Sequence, residues 1–128
     1  MDIKKLIKDA VNLILNAGGS NVIFIINYGS YINGNFHEGS DIDLCVYYSG
    51  GKKERFNFRL SVLSSINDIF DVQIFQDLPL YIRKDVLKGR LLYSKNNELT
   101  YDIARNTIYE FDDFKRGYYD IINLEKIQ

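Results

Sequence analysis

The run Val22-Ile23-Phe24-Ile25-Ile26 constrains the fold of this chain more than any other segment. Successive strand residues point to opposite faces, so an unbroken apolar, β-branched run needs cover on both sides. It predicts a central strand over 22 to 28 in a sheet sandwiched by other elements. Gly29-Ser30 follows at once, where a sharp turn into a helix would offer backbone N–H groups to an anion. Ten residues further on comes Asp41-Ile42-Asp43. Carboxylates at i and i+2 of a strand share a face and repel one another unless something positive lies between them, most simply a divalent metal. A metal beside an anion grip implies phosphoryl or nucleotidyl transfer.

The remaining pattern alternates helices and strands. Ile3, Ile7, Ala10, Ile14 and Ala17 recur at helical spacing over 3 to 17, with Asp2 as a cap and Gly18-Gly19 as the stop. A short helical turn is expected from Ser30, then a polar loop from Asn33 to Gly39, then a strand over 41 to 48. Gly50-Gly51-Lys52-Lys53-Glu54 reads as a loop. From Phe56 to Asp68 a helix is expected, with Leu60, Leu63 and Ile66 as its buried stripe and Val62 and Ile69 beside it. Phe70 to Phe75 alternates as a strand does. Pro79 opens a helix that Gly89 ends, Arg90 to Tyr93 is a short strand, and 98 to 125 is one long helix or two. The expected class is α/β (α+β): a small mixed sheet flanked by helices, residues 1–128 forming one domain with a C-terminal helical segment.

Composition excludes several functions. The net charge is −1 and the pI near 5.8, so no basic field draws in nucleic acid as substrate. Cys45 is the single cysteine and lies within a strand pattern, where a buried, inert thiol is expected. One His and one Cys argue against structural zinc. Lys4, Lys5, Lys8 and Asp9 interrupt the N-terminal apolar stretch, so neither a signal peptide nor a membrane span is expected, and the cytoplasm is the default location.

Asp71 is the third candidate acid, at the start of a strand and facing the same way as Gln73. If that strand neighbours the one bearing Asp41 and Asp43, three carboxylates converge at one sheet end. Such a cluster could hold two magnesium ions roughly 3.5–4 Å apart. Two acids would position the nucleotide's metal, and the third would help lower the pKa of an incoming hydroxyl. His37 and Glu38 lie in the intervening loop and read as solvated, with an approach to the nucleotide as the alternative for His37 and a part in the metal site's acidic field as the alternative for Glu38. Arg83, Lys84, Lys88 and Arg90 read as a solvated helix face, with a triphosphate or an acidic partner as the alternative. Tyr101, Tyr109, Tyr118 and Tyr119 are core residues or a protein interface.

Gly29-Ser30, ten residues, Asp41-x-Asp43 and a later strand acid resemble the nucleotidyltransferase superfamily of DNA polymerase β and kanamycin nucleotidyltransferase. The whole chain is similar to its minimal branch, the MNT-domain proteins. Asp71 to Tyr93, with Pro79 and Val86-Leu87-Lys88-Gly89-Arg90-Leu91-Leu92-Tyr93, resembles the MntA-like antitoxins that pair with HEPN toxins. The resemblance implies a nucleotidyltransferase fold. It implies triphosphate binding by Gly29 and Ser30, with Ser40 grouped among the nucleotide contacts. Asp41, Asp43 and Asp71 would be magnesium ligands, Asp71 also activating the acceptor. The family often reads Gly-Ser-x-Ala-Arg-Gly at the turn, whereas this chain has Asn33 in the arginine's place, which removes a positive charge near the phosphates.

The function expected is a magnesium-dependent transfer of AMP from ATP to a hydroxyl, a tyrosine of a cognate HEPN toxin, by the antitoxin of the pair. The small size favours a macromolecular acceptor. Two rivals are a non-catalytic antitoxin that masks its partner, and a dimeric transferase that modifies small-molecule antibiotics. A homo-oligomer and a hetero-oligomer with the toxin both stay open.

Overall fold

The computed structural model describes residues 2–34, 39 and 41–127, with 123–127 as backbone alone. Helix α1 (Ile3–Gly18) leads through a 3-10 turn into β1 (Val22–Tyr28), and β2 (Ile42–Tyr48) follows the candidate site loop. Then come α2 (Lys52–Leu63), β3 (Phe70–Ile74), a second 3-10 turn, α3 (Leu80–Val86), β4 (Arg90–Ser94) and α4 (Asn97–Ile127). The sheet order is β3-β2-β1-β4. β1 runs antiparallel to β2 and β4, while β2 and β3 are parallel, giving the mixed sheet that the pattern predicts.

Local chemistry explains the elements. Asp2 caps α1 by accepting from the Lys5 N–H at 3.2 Å, and Gly19 turns the chain away at φ 57°. Residues Val22 to Asn27 are all buried, as a central strand requires. One face of the sheet packs Ile25, Leu44 and Val72 against Ile14 of α1 and Phe58 and Val62 of α2. The other packs Phe24, Ile26, Cys45 and Phe75 against Val86 of α3, with Ile103 of α4 at its margin. Phe24 and Phe75 meet edge to face at 5.2 Å, a favoured geometry for aromatic pairs. β3 is an edge strand, and Arg59 blunts it by donating from Nε to the Val72 carbonyl at 2.8 Å.

α2 differs from the expectation at both ends. Lys52, Lys53 and Glu54 form its first turn rather than a loop, with Glu54 suited to the positive helix start and Arg55 tied to Asp77 at 2.8 Å. It stops at Leu63 rather than Asp68, because Ser64 Oγ takes the Ser61 carbonyl and Asn67 Oδ1 takes the Ile69 N–H. The buried stripe is therefore Phe58 and Val62, continued by Ile66, whereas Leu60 and Leu63 are exposed. The C-terminal helical segment is one continuous helix, beginning at Asn97. Its first turns dock on α3: Thr107 is buried, and Lys84 sits 4.1 Å over the Phe111 ring. Tyr101, Tyr109, Tyr118 and Tyr119 are exposed, so none is core.

Candidate active site at the end of the sheet

The end of β1, the start of β2 and the start of β3 meet at one edge of the fold. Tyr28 pairs with Asp43 across the antiparallel ladder, and Asp43 pairs with Asp71 across the parallel one. Three consecutive strands thus present Tyr28, Asp43 and Asp71 in one row. Their neighbours Phe70, Val72, Ile42 and Leu44 point into the core under α1 and α2, so the row emerges on the α3 face. Asp41 is exposed just before β2 and shares a face with Asp43 by the two-residue period.

Gly29 follows β1 at φ 82°, a conformation that favours glycine. A Cβ there would overlap the Asp43 carboxylate, so the turn is pressed onto the central acid. Ser30 opens a single helical turn closed by Asn33 N–H on the Gly29 carbonyl at 3.1 Å. That is the short turn expected from Ser30. The structure thus brings Gly29, Asp43 and Asp71 together, with Ser30 and Asp41 adjoining. Ser40, His37 and Glu38 lie outside the described residues.

The electrostatics follow from this crowding. Burial, then the Asp71 and Asp41 carboxylates, hold the Asp43 carboxyl up at about 6. Burial first, then Cys45, Asp43 and Asp71, push the Tyr28 phenol far above its ordinary range, so it stays protonated. Burial alone pushes the Cys45 thiol up, which makes it the inert core thiol expected. No Lys or Arg forms an ion pair with Asp41, Asp43 or Asp71 among the described residues.

Like charges without a counter-charge suit a cation. No group of three metal-capable side chains is closed into a ready cage among the described residues. Magnesium seldom uses such a cage: it keeps waters and takes one or two carboxylates together with substrate phosphate oxygens. Asp43 and Asp71, hard oxygen donors in register, fit an ion that arrives with a nucleotide, and Asp41 is near enough to raise the Asp43 pKa.

Two further features adjoin the acids. Gln73 Nε2 donates to Asp71 Oδ1 at 3.1 Å, fixing one carboxylate oxygen. A cavity of about 470 Å³ opens beside Tyr28, lined by Gly29 and Asn33 on one side and by Asp85 and Lys88 on the other. The two-residue strand period places Gln73 on the face of Asp71, and the hydrogen bond agrees with it. Nothing local relates Lys88 to Asn33. Arg83 and Lys84 turn elsewhere: Arg83 donates to the Leu78 carbonyl and Lys84 covers Phe111.

Known proteins share this stretch of sequence and this fold. The profile of the family described as polymerase beta, nucleotidyltransferase matches residues 9–98. A Methanocaldococcus jannaschii protein, provisionally named a protein adenylyltransferase, is 32% identical over 82 residues, 63% of this chain and 63% of that one. Among solved structures, a chain of a toxin–antitoxin complex with AMP-PNP superposes at TM-score 0.70 with 19% identity, covering 91% of this chain and 95% of that chain. A chain of the complex between a tri-AMPylated Shewanella oneidensis HEPN toxin and its MNT antitoxin gives 0.67 at 18% identity, over 93% and 95%. Fold and acidic sheet end together define a nucleotidyltransferase domain. The chain belongs to the polymerase beta nucleotidyltransferase family.

Proposed function

We propose that this protein transfers AMP from ATP, with magnesium, to a tyrosine hydroxyl of a cognate HEPN-type toxin and so serves as its antitoxin. The observation that carries this reading is the Asp43–Asp71 register pair with Gly29 pressed against the Asp43 carboxylate. A turn that close to an acid would bring an anion-binding backbone and a cation-binding side chain to one point. Gly29 and Ser30 would receive the triphosphate through the turn's N–H groups and the serine hydroxyl. Asp41, Asp43 and Asp71 would hold magnesium, which when bound supplies positive charge against the phosphates.

Asp71, its Oδ1 held by Gln73, would orient the acceptor hydroxyl and take its proton. The acceptor oxygen bonds to the α-phosphorus, the bond to the β-phosphate bridge breaks, and pyrophosphate leaves. The toxin as partner is supported by the fold likeness to chains of toxin–antitoxin complexes. The exposed aromatic side chains of α4 suit a protein partner.

ATP labelled at the α- or γ-phosphate, incubated with this protein, a candidate HEPN-type partner and magnesium, tests the reaction. The α-label should move to the partner and the γ-label should not. Transfer of the γ-label, or α-transfer undiminished in Asp43→Asn, would sink the proposal. A masking antitoxin is favoured only by the uncharged Asn33 at the turn. It predicts full protection by the triple variant D41N/D43N/D71N.

A further inference from the structure

A triphosphate brings about four negative charges to a site that already holds three carboxylates, and the described part of the 29–33 turn offers it only neutral groups. Neutralising phosphate takes a cation as well as N–H donors. Among the described residues that line the cavity beside Gly29, Lys88 is the one cation. It comes from the α3–β4 turn, far from the site loop in sequence but on the same cavity as Asn33. Resting on the nucleotide reading above, we propose that Lys88 binds the terminal phosphates of the bound nucleoside triphosphate and supplies the charge that Asn33 lacks.

Three features of the turn support this role. The Lys88 backbone is fixed: its N–H donates to the Asp85 carbonyl at 3.1 Å, and the Gly89 N–H to the Val86 carbonyl at 2.9 Å. Gly89 itself is packed so tightly on the Asn27 carbonyl that a Cβ would overlap it, which anchors the turn to β1 one residue from the site. The ammonium is exchangeable, because its partner Asp85 is 3.7 Å away and both side chains are largely exposed, at 73% and 64%. Exposed pairs of this kind contribute little, so a phosphate can displace the carboxylate. Lysine chemistry also suits this contact, since a flexible stem carries a compact charge across an open cavity.

Asp85 opposes the proposed contact by placing a negative charge on the same cavity. Its removal should therefore tighten nucleotide binding, whereas loss of a structural salt bridge would not.

Equilibrium titration of the full chain with AMP-PNP and with AMP, in magnesium at low and moderate salt, tests the inference. Lys88→Ala should weaken AMP-PNP binding about tenfold or more and leave AMP within about twofold, since only the former carries the distal phosphates. Lys88→Arg should retain affinity, Asp85→Asn should raise it, and Asn33→Arg should restore AMP-PNP binding to Lys88→Ala. The salt dependence of AMP-PNP binding should fall in Lys88→Ala. The inference is overturned if wild type binds AMP-PNP and Lys88→Ala binds it equally well. It is equally overturned if Lys88→Ala loses AMP and AMP-PNP alike. Wild type that binds neither nucleotide overturns the nucleotide reading on which it rests.

Discussion

Two residues near the site are held at a cost to the fold, each for a different physical reason. Asn27 is 1% exposed, and neither its side-chain nitrogen nor its oxygen finds a hydrogen-bond partner among the described residues. A buried, unsatisfied amide costs about 1–3 kcal/mol. Leucine has nearly the same shape, so Asn27→Leu should raise stability by about 1 kcal/mol or more in urea unfolding. An unchanged or lowered midpoint would contradict that. Asp43 is an ionisable group held in its place by burial first, and then beside the Asp71 and Asp41 carboxylates. Its carboxyl sits at about 6 rather than the ordinary 3.8, so the folded chain favours its protonated form. Between those values the native state binds the extra proton, so stability from this group is fullest below about 4 and is lost as pH rises through about 6. Asp43 is partly exposed, and screening reduces the effect to about 1 kcal/mol. In metal-free buffer Asp43→Asn should therefore be more stable than wild type at pH 7 and show no advantage near pH 4. Added magnesium should stabilise wild type and leave Asp43→Asn unmoved.

At the scale of elements, what was legible depended on whether a local period carried the information. β1 is readable to the residue because an apolar run needs cover on both faces, and β2 to within one residue because its acids alternate with Ile42 and Leu44. The start of α2 is not legible because Lys52-Lys53-Glu54 looks like solvated loop, while its place is set by contacts beyond that segment: the Arg55–Asp77 pair and the Tyr48 ring stacked on Phe58 at 4.3 Å. The same distinction runs through the site. Gly29, Asp41 and Asp43 follow from spacing along one stretch of chain. The register of Asp43 with Asp71 does not, because sequence says nothing of strand order. Nor could it show Gln73 bonded to Asp71, or Lys88 on the cavity of Asn33. Arg59 offers a test at this scale. Its hydrogen bond to the Val72 carbonyl covers the open edge of β3, so Arg59→Ala should cost about 1–2 kcal/mol and increase self-association at high concentration. Unchanged stability and sedimentation would show that the edge is protected otherwise.

Across the whole molecule, much of the exposed aromatic surface lies on α4. The acids stand at one end of the sheet, whereas α4 runs 31 residues, about 46 Å, and packs on α3 mainly through its first turns. Among the described side chains beyond Phe111, Phe114, Tyr118, Tyr119 and Ile121 are exposed. No described helix is long and apolar enough to cross a membrane. If that face meets the partner, Tyr118→Ser with Tyr119→Ser should leave the unfolding midpoint within about 0.5 kcal/mol and weaken partner binding about tenfold or more. Loss of stability with binding intact would place the tyrosines in the fold's own packing instead.

The proposed AMP transfer by the acidic sheet end is tested most simply by the intact mass of a candidate HEPN-type partner protein after incubation with this chain, ATP and magnesium. Wild type should add one or more AMP units on tyrosine, and D43N or D71N none, although both variants should remain folded. A partner of unchanged mass, or one modified equally by the variants, would rule out the proposed transfer at Asp43 and Asp71.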